Sequence, residues 1–231
     1  MRVVYQPAWY ILTPMRKPPS KDTAAFDAYE REAYKFFKKA DPVLYAAALP
    51  HKGAFTLRPN PRSRNDQLFA SLAGSVVGQQ LSIKAADTIW TRVKAAVGGR
   101  VTAKTIDAAP EAALRAAGLS ASKVKTLKAL AHAVNHEKLN LLSLRSLTYE
   151  EACSRLTKIW GIGPWTVEMF LIFALGARDI FSPGDLGLAR AIEKLYGLPK
   201  NAPREELSRI AARWSPHRSF ACLILWKVYE A

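Results

Sequence analysis

Two glycines flank a single isoleucine in the stretch IWGIGPWTVEMF, residues 159–170, and this spacing could bind an anion. We expect a helix to end at LTKIW, with Gly161 at its C-terminal cap in a left-handed conformation that costs glycine little. Gly163 then allows a tight turn, and Pro164 takes the first position of the next helix. The amides after the turn would attract a phosphate without reading a base. A plain connector between helices is the alternative, because GxG alone is a weak signal.

A second chemical candidate is Asp185, in FSPGDLGLARAIEKLY, because it precedes an amphipathic helix. Its carboxylate could cap that helix by accepting amide hydrogen bonds, which is a structural role. The same position keeps a carboxylate ionised and fixed in direction, so capping and catalysis are compatible.

The charge balance favours a polyanionic partner. Lysine and arginine number 34 against 19 acidic residues, which gives a formal net charge of +15 in a chain that is 49% hydrophobic. The 231 residues suffice for one domain or two small lobes. Each phosphate neutralised releases counterions, so nucleic acid is the favoured partner. An anionic membrane surface and charge that serves solubility are the alternatives.

Cysteine usage and the apolar runs exclude several classes of protein. The only cysteines are Cys153 and Cys222, without a CxxC or a His/Cys cluster, so a disulfide scaffold, a zinc site and an iron–sulfur cluster are not indicated. The longest apolar runs are too short to span a bilayer, and the first residues lack a signal-peptide pattern. We therefore expect an intracellular protein that does not insert into membranes.

The elements that position these residues are predicted to be helices. Residues 1–25, rich in proline and basic side chains, are predicted to be extended or loosely attached, and a first helix is predicted from Phe26. A second helix restarts with Asp41 as its N-cap and Pro42 at its first position. The stretch GAFTLRPNPRSRND, residues 53–66, is predicted to be an extended connector with one short strand. Helical periodicity then continues to the C-terminus, for about ten helices in all.

The stretch SASKVKTLKALAHAVNHEK shows how one of these helices should pack. Its predicted buried face consists of Val124, Leu127, Leu130, Ala131 and Val134. Three lysines at positions 123, 125 and 128 fall mainly on the other faces. They could be solvated or could contact DNA.

Several motifs in a fixed order resemble the helix-hairpin-helix DNA glycosylase superfamily, in particular its AlkA type, DNA-3-methyladenine glycosylase II. They are SVVGQQLSIKAADTIWTRV, GLSASKVKTLKALA, LTKIWGIGPWTVEMF, DIFSPGDLGLARAI and HRSFACLILW. The resemblance implies an all-α fold with two helical lobes around a central cleft, formed by residues 41–231, with the hairpin at 150–176. Residues 1–40 are expected to form an arm and a helix packed on the core, without an N-terminal β domain.

The resemblance implies a catalytic role for Asp185, which lies 22 residues after Gly163, where the superfamily has its catalytic aspartate. The implied reaction hydrolyses the bond between deoxyribose and an alkylated purine of the 3-methyladenine or 7-methylguanine type. Because such a base is already cationic, it leaves without a strong general acid. The ionised aspartate stabilises the oxocarbenium-like sugar and orients or deprotonates water.

Trp165 fills the position at which lyase-competent members of the superfamily carry a lysine nucleophile. Tryptophan cannot form a Schiff base, so the resemblance implies a monofunctional glycosylase without AP-lyase activity. Trp165 and Trp226 are further implied to line a pocket for the flipped, cationic base, although Trp165 could instead be a core residue. Met169 belongs to the same implied pocket but replaces an aromatic residue, which leaves the substrate range open.

The other implied DNA contacts lie in two loops and near the C-terminus. Gln80 aligns with the residue inserted into the gap left by the flipped base, and Leu81 is its neighbour; a loop of solvated glutamines is the alternative. Thr166 joins the two hairpin glycines as an implied DNA contact. Arg218 follows His217, which replaces an aromatic residue, and could meet a phosphate or Asp185, or cap a helix.

No cofactor is expected to be required, although the resemblance implies a structural Na⁺ or K⁺ bound by hairpin carbonyls. Those carbonyls belong to Thr157, Ile159 and Ile162. The expected partner is double-stranded DNA with alkylated bases, bound by a monomer that is nucleoid-associated in a bacterial cytoplasm or nuclear in a eukaryote. The rival functions are a non-catalytic helix-hairpin-helix DNA-binding protein and a glycosylase for mismatched or oxidised bases. A basic membrane-surface protein fits less well, because the helices use their apolar faces for a core.

Overall fold

The computed structural model describes residues 20–52 and 63–230, and all regular secondary structure in these ranges is helical. This confirms the all-α prediction, with twelve α-helices in the described ranges. They are α1 (Ser20–Ala40), α2 (Pro42–Ala48), α3 (Asn65–Gly78), α4 (Ile83–Ala96), α5 (Ala103–Ala108), α6 (Glu111–Ala116), α7 (Ala121–Asn135), α8 (Tyr149–Leu156), α9 (Pro164–Met169), α10 (Leu186–Tyr196), α11 (Arg204–Ala212) and α12 (Arg218–Glu230). A π-helical segment, Phe170–Leu175, continues α9. No helix in the described part of the chain is long and apolar enough to cross a membrane.

The chain forms two compact units. The continuous unit, residues 63–175 of the described chain, contains α3 to α9 and the π-helical segment. The discontinuous unit joins residues 20–52 to residues 176–230 and contains α1, α2 and α10 to α12. The hairpin belongs to the continuous unit, as does Gln80, the candidate wedge that would fill the gap left by a flipped base. Asp185 belongs to the discontinuous unit.

A buried carboxylate organises the discontinuous unit. Asp41 is 2% exposed, and its Oδ1 caps α2 by accepting the Leu44 amide at 3.1 Å, which confirms the predicted cap. Its Oδ2 accepts the Tyr196 hydroxyl at 2.8 Å and the Trp214 indole N–H at 2.9 Å. Burial and the bond to Asp41 raise the pKa of Tyr196. These bonds tie the start of α2 to the end of α10 and to the residues after α11.

The predicted apolar face of α7 is confirmed by its burial. Val124, Leu127, Leu130 and Ala131 are all buried, and Val134 is half-buried. α7 packs against α3, α5 and α6 and is therefore central to the continuous unit.

Two of the three α7 lysines have a structural role that the sequence did not predict. The Lys123 ammonium donates to the carbonyls of Val77 and Gln79, each at 2.8 Å, and so caps the C-terminus of α3. Burial lowers its pKa. Lys128 acts in the same way at the end of α5, where it bonds two carbonyls at 2.7 and 2.5 Å. Neither solvation nor DNA contact is needed to explain these two side chains.

The N-terminal predictions were partly wrong or lie outside the described residues. α1 begins at Ser20, so residues 20–25 are helical although they were predicted to be extended. Residues 1–19 and 53–62, which include most of the predicted connector and its strand, are outside the described residues. Alanine, aspartate and lysine before Phe26 all tolerate a helix, which is why the helix can start earlier than its apolar stripe.

Candidate active site

The first helix of the hairpin ends earlier than the sequence suggested. α8 ends at Leu156, and two successive turns follow, in which the Ile159 amide donates to the Leu156 carbonyl and the Ile162 amide donates to the Ile159 carbonyl, both at 3.1 Å. The Thr157 hydroxyl bonds back to a carbonyl of α8 at 2.7 Å. Such side-chain bonding competes with helix continuation. The prediction that LTKIW ends the helix was therefore wrong by about one turn.

The two hairpin glycines have different reasons to be glycine. Gly161 has φ +81°, and a Cβ on it would overlap the Thr126 side chain on α7, so both backbone conformation and packing require glycine there. Gly163 has φ −99°, which any residue adopts, and no atom lies within 4 Å of an added Cβ. The left-handed conformation predicted for Gly161 is confirmed, but its predicted role as the helix cap was wrong, because Thr157 is the C-cap of α8. The predicted need for glycine in a tight turn at position 163 was also wrong.

The second hairpin helix begins as predicted and then enters the core. Gly163 is the N-cap of α9, and Pro164 takes its first position. From Thr166 to Ala174 every residue is buried, and apart from Thr166 and Glu168 all of them are apolar, as expected for a segment that enters a core. Met169 is 1% exposed, so the implied pocket residue has almost no accessible surface, whereas Trp165 at the start of α9 is half-buried.

A glutamine from the GQQLS loop holds the hairpin in place. The Gln79 amide nitrogen donates to the Thr166 hydroxyl at 2.9 Å and approaches the Gly161 carbonyl at 3.4 Å. Thr166 is 2% exposed, so its side chain bonds within the protein and is not placed for the DNA contact implied by the resemblance. Sequence reasoning missed Gln79, because nothing in GQQLS distinguishes the inward glutamine from the outward one.

The outward glutamine of this loop is Gln80. It is exposed and has φ +56°, a left-handed conformation that is uncommon for a residue other than glycine. Leu81 is half-buried, and its amide donates to the Gly78 carbonyl at 3.2 Å. Ser82 caps α4 by accepting the amide of Ala85 at 3.4 Å. The loop therefore presents Gln80 at its tip, while the wedge role stays a prediction.

Asp185 is held by donors from two helices. It is 2% exposed and caps α10, with the Leu188 amide 2.9 Å from its Oδ1. The Trp226 indole N–H, on α12, donates to the same oxygen at 3.1 Å. Hydrogen bonds to a carboxylate are stronger than those between neutral groups. The predicted cap is confirmed, and the carboxylate is fixed in direction, as the chemistry implied for it requires.

Trp226 is consequently more than the aromatic surface implied by the resemblance. Only 4% of its surface is exposed, and its ring nitrogen is committed to Asp185. Sequence reasoning missed this bond because 41 residues separate the two side chains.

Arg218 bonds Asp179 and not Asp185. Its guanidinium reaches both carboxylate oxygens, Nε to Oδ1 at 2.7 Å and Nη2 to Oδ2 at 3.0 Å. Burial raises the pKa of Asp179, but hydrogen bonds from Arg218 and Ser215 outweigh it and keep the pKa below its usual value. The Arg218 amide also donates to Asp179 at 3.2 Å. The implied contact between Arg218 and a phosphate would have to compete with this bidentate ion pair.

An exposed apolar side chain lies directly beside the buried aspartate. Leu186, the first residue of α10, is 62% exposed, although it adjoins a carboxylate that is almost fully buried. An exposed leucine at this place could exclude water from, or contact, a molecule bound at Asp185. The sequence carried no signal for it, since leucine at the start of an amphipathic helix is expected to pack inward.

The hairpin carbonyls are chemically suited to the implied monovalent cation. The Ile159 carbonyl accepts one hydrogen bond, from Ile162, and a carbonyl oxygen has a second lone pair. Neutral oxygen ligands of this kind suit a hard cation. Among the described residues no group of three or more histidine, cysteine, aspartate or glutamate side chains could hold a metal ion.

Comparison with known proteins identifies the family. The model of the HhH-GPD superfamily of base excision DNA repair proteins matches residues 73–217. DNA-3-methyladenine glycosylase 1 of Schizosaccharomyces pombe is 34% identical over 173 residues, which cover 74% of this chain and 76% of that protein.

Two solved structures are similar over most of their length. The DNA-3-methyladenine glycosidase of Bacillus halodurans has a TM-score of 0.71 at 34% identity, covering 84% of this chain and 87% of that one. The 3-methyladenine DNA glycosylase of S. pombe, in complex with abasic DNA, has a TM-score of 0.74 at 31% identity, covering 85% of this chain and 95% of that one. With the fold, the hairpin and the buried aspartate in place, this chain belongs to the HhH-GPD superfamily of base excision DNA repair proteins.

Proposed function

We propose that the protein is a 3-methyladenine-type DNA glycosylase, which excises alkylated purines, including 3-methyladenine and 7-methylguanine, from duplex DNA. The observation that carries the proposal is the buried Asp185 carboxylate, held in one direction by the Leu188 amide and the Trp226 indole. The names of the similar proteins from S. pombe and B. halodurans support the substrate class.

The chemistry follows from where charge develops in the reaction. A purine methylated on a ring nitrogen is already cationic, so departure of the base needs little acid assistance. The sugar becomes positive as the bond breaks, and an ionised, fixed carboxylate beside it stabilises that charge and orients the attacking water. Removing one such preorganised group costs on the order of 3 kcal/mol of barrier, about a hundredfold in rate.

The reaction stops at the abasic site. A lyase needs an amine that forms a Schiff base with the sugar, and the corresponding position on α9 is Trp165. Its half-buried ring instead offers an aromatic surface to a cationic base. Rotation of the base out of the duplex is assisted by Gln80, which is exposed at the tip of its loop and can fill the gap in the stack.

The hairpin turn binds the DNA backbone. The space around Gly163 permits close approach of a phosphate to the N-terminal end of α9, where backbone amides are concentrated. A monovalent cation, held by the carbonyls of Thr157, Ile159 and Ile162, would add positive charge beside that phosphate.

The decisive experiment compares wild type with Asp185→Asn on methylated duplex DNA, with released bases separated by chromatography. We expect 3-methyladenine and 7-methylguanine from wild type and at least a hundredfold slower release from the variant. Asp66→Asn, which removes an exposed carboxylate of the continuous unit, is the control for the change in charge. Equal release by Asp185→Asn would remove Asp185 from the mechanism.

Two further readouts separate the rival functions. Binding to DNA without release of any base would favour a non-catalytic DNA-binding protein. Release of oxidised or mismatched bases, but not of methylated ones, would move the protein to another substrate class. Strand cleavage without alkali on a denaturing gel would contradict the monofunctional assignment.

A further inference from the structure

A basic groove lies in the continuous unit, on one side of the hairpin turn. It has a volume of about 830 Å³ and lies between α7 and the segment that leads from α8 to the hairpin turn. The cationic side chains that line it are Lys125, Lys128, Lys138, Arg155 and Lys158. Two carboxylates, Asp107 and Glu137, also line it, so positive charge predominates.

The two carboxylates of the groove have partners of their own. Asp107 accepts hydrogen bonds from His136 at 3.1 Å and Asn135 at 3.3 Å, which lower its pKa. The Glu137 carboxylate lies 3.6 Å from His132. In the described part of the chain, by contrast, no carboxylate lies within ion-pair distance of Lys138, Arg155 or Lys158. These three exposed cations lack a counter-charge from the described residues, as expected of a surface that meets an anion.

An exposed tryptophan lies at the edge of this groove. Trp160 is 45% exposed, and the Lys125 ammonium lies 4.3 Å from the centre of its ring. The cation–π contact holds the lysine against the ring and creates a surface that is both flat and positive. Such a surface suits a sugar–phosphate chain, whose deoxyribose packs on the ring while its phosphates meet the cations.

The groove lies next to the hairpin turn. Ile159 and Trp160 line the groove and directly precede Gly161, so the groove opens beside the turn that is proposed to bind a phosphate. A strand carries one charge per about 3.4 Å of helix axis. Its next phosphates therefore lie within reach of nearby cations.

We propose that this groove binds the sugar–phosphate backbone of the DNA flanking the lesion and so extends the contact beyond the hairpin turn. The inference rests on the proposed function for the identity of the DNA, but it concerns binding alone. Arg155 and Lys158 contact phosphates, and Trp160 packs against deoxyribose beside the Lys125 ammonium. None of these residues takes part in bond cleavage.

The test is the salt dependence of binding to duplexes that contain an abasic-site analogue. Wild type and Arg155→Ala/Lys158→Ala are compared by plotting the logarithm of the association constant against that of the salt concentration. Each lost phosphate contact lowers the slope by about 0.9, so the double variant should lose about 1.8. Lys194→Ala/Lys200→Ala, which removes two exposed cations from the discontinuous unit, controls for net charge.

The length of the duplex provides a second readout. Wild type should bind a duplex of about two helical turns more tightly than one of about a single turn (roughly 20 and 10 base pairs). The double variant and Trp160→Ala should lose most of that difference, because they remove contacts to the flanking phosphates and sugars.

The outcomes distinguish the groove from the glycosylase proposal. Equal salt slopes for wild type and the double variant would overturn the groove, even if methylated bases are released normally. A lower slope in the double variant without release of any base by wild type would uphold the groove and overturn the glycosylase. Binding of polyglutamate that depends on Arg155 and Lys158, with unchanged DNA slopes, would show an acidic peptide as the occupant. Absence of DNA binding by wild type would overturn both.

Discussion

The indole nitrogen of Trp226 lies 3.1 Å from Oδ1 of Asp185, and this hydrogen bond joins α12 to the N-terminus of α10. The same oxygen accepts the Leu188 amide at 2.9 Å, and both side chains of the pair are at least 96% buried. A helix cap alone supplies a single hydrogen bond to the carboxylate. The second donor, on another helix, restricts its rotation about the Cβ–Cγ bond, so the direction of the Asp185 carboxylate depends on an aromatic residue.

Trp226→Phe should therefore slow excision while retaining most of the aromatic packing. The change removes one hydrogen bond to a charged group, which is worth about 1.5–3 kcal/mol, so we expect a single-turnover rate roughly 10- to 100-fold lower. Binding to DNA with an abasic-site analogue should change less than threefold, because the lost bond acts on the carboxylate.

The control for this prediction is the double variant with Asp185→Asn. If Trp226 acts through Asp185, adding Trp226→Phe to Asp185→Asn should slow the reaction little further. Full additivity of the two effects, or a wild-type rate for Trp226→Phe, would contradict the positioning role.

The hairpin glycines provide a matched pair of variants. Gly161→Ala should lower the free energy of unfolding by at least about 1–3 kcal/mol, because the new methyl group combines a left-handed conformation with overlap against Thr126. Gly163→Ala should leave that free energy within about 0.5 kcal/mol of wild type, since its backbone and surroundings accept a Cβ. Urea denaturation measures both.

DNA binding, unlike stability, should be sensitive to the change at Gly163. Gly163→Ala should weaken binding to DNA with an abasic-site analogue about tenfold, because the methyl group occupies the space through which a phosphate approaches. Unchanged binding by this stable variant would argue against a phosphate at the hairpin turn.

The sequence was sufficient for those features that are set by local chemistry. Asp41 and Pro42 correctly predict the start of α2, and the apolar spacing of α7 correctly predicts its buried face. Asp185 was recognisable as a cap because its helix follows at once. Each of these features depends on residues within about one or two helical turns, where periodicity and capping rules apply.

Features that depend on distant partners could not be predicted in this way. Gln79 and Thr166 are 87 residues apart, and Lys123 caps a helix 46 residues away. The pairing of Arg218 with Asp179 spans 39 residues. A single sequence contains no measure of proximity for such pairs, so an outward-facing lysine, a capping lysine and a DNA-binding lysine have the same local pattern.

Substitutions of the two adjacent glutamines of the GQQLS loop should have opposite effects on stability. Gln80→Gly should raise the free energy of unfolding by up to about 1–2 kcal/mol, because glycine adopts φ +56° without the strain that a side chain imposes. The same change should slow excision, because glycine cannot fill the gap left by a flipped base. Thermal unfolding and single-turnover excision measure the two effects, and normal excision by Gln80→Gly would exclude the wedge.

Gln79→Ala should behave in the opposite way in the stability measurement. It removes the donor to the buried Thr166 hydroxyl, so we expect a loss of about 1–3 kcal/mol. A loss below about 0.5 kcal/mol would show that the loop does not depend on this bond for its attachment to the hairpin.

His217 should make the stability of the protein depend on pH. Its ring is 5% exposed and packs near Tyr29, Phe36 and Phe37, with ring centres 5.5, 5.0 and 6.2 Å away. Its Nδ1 has no hydrogen-bond partner in the described part of the chain. Burial among these rings lowers its pKa below the ordinary value of 6.5. The folded protein therefore keeps the ring neutral at a pH where the unfolded chain already binds a proton.

Linkage between protonation and folding fixes the sign of the effect. Between the lowered pKa and about 6.5, the unfolded chain binds more protons, so the free energy of unfolding falls as the pH decreases through this window. His217→Phe removes the titrating group and keeps an aromatic ring among aromatic neighbours. Urea denaturation at about pH 7.5 and about pH 5.5 should show a larger loss of stability at the lower pH for wild type than for the variant. Equal losses in the two proteins would mean that the ring of His217 takes up its proton in the folded state as readily as in the unfolded chain, against the effect of its burial.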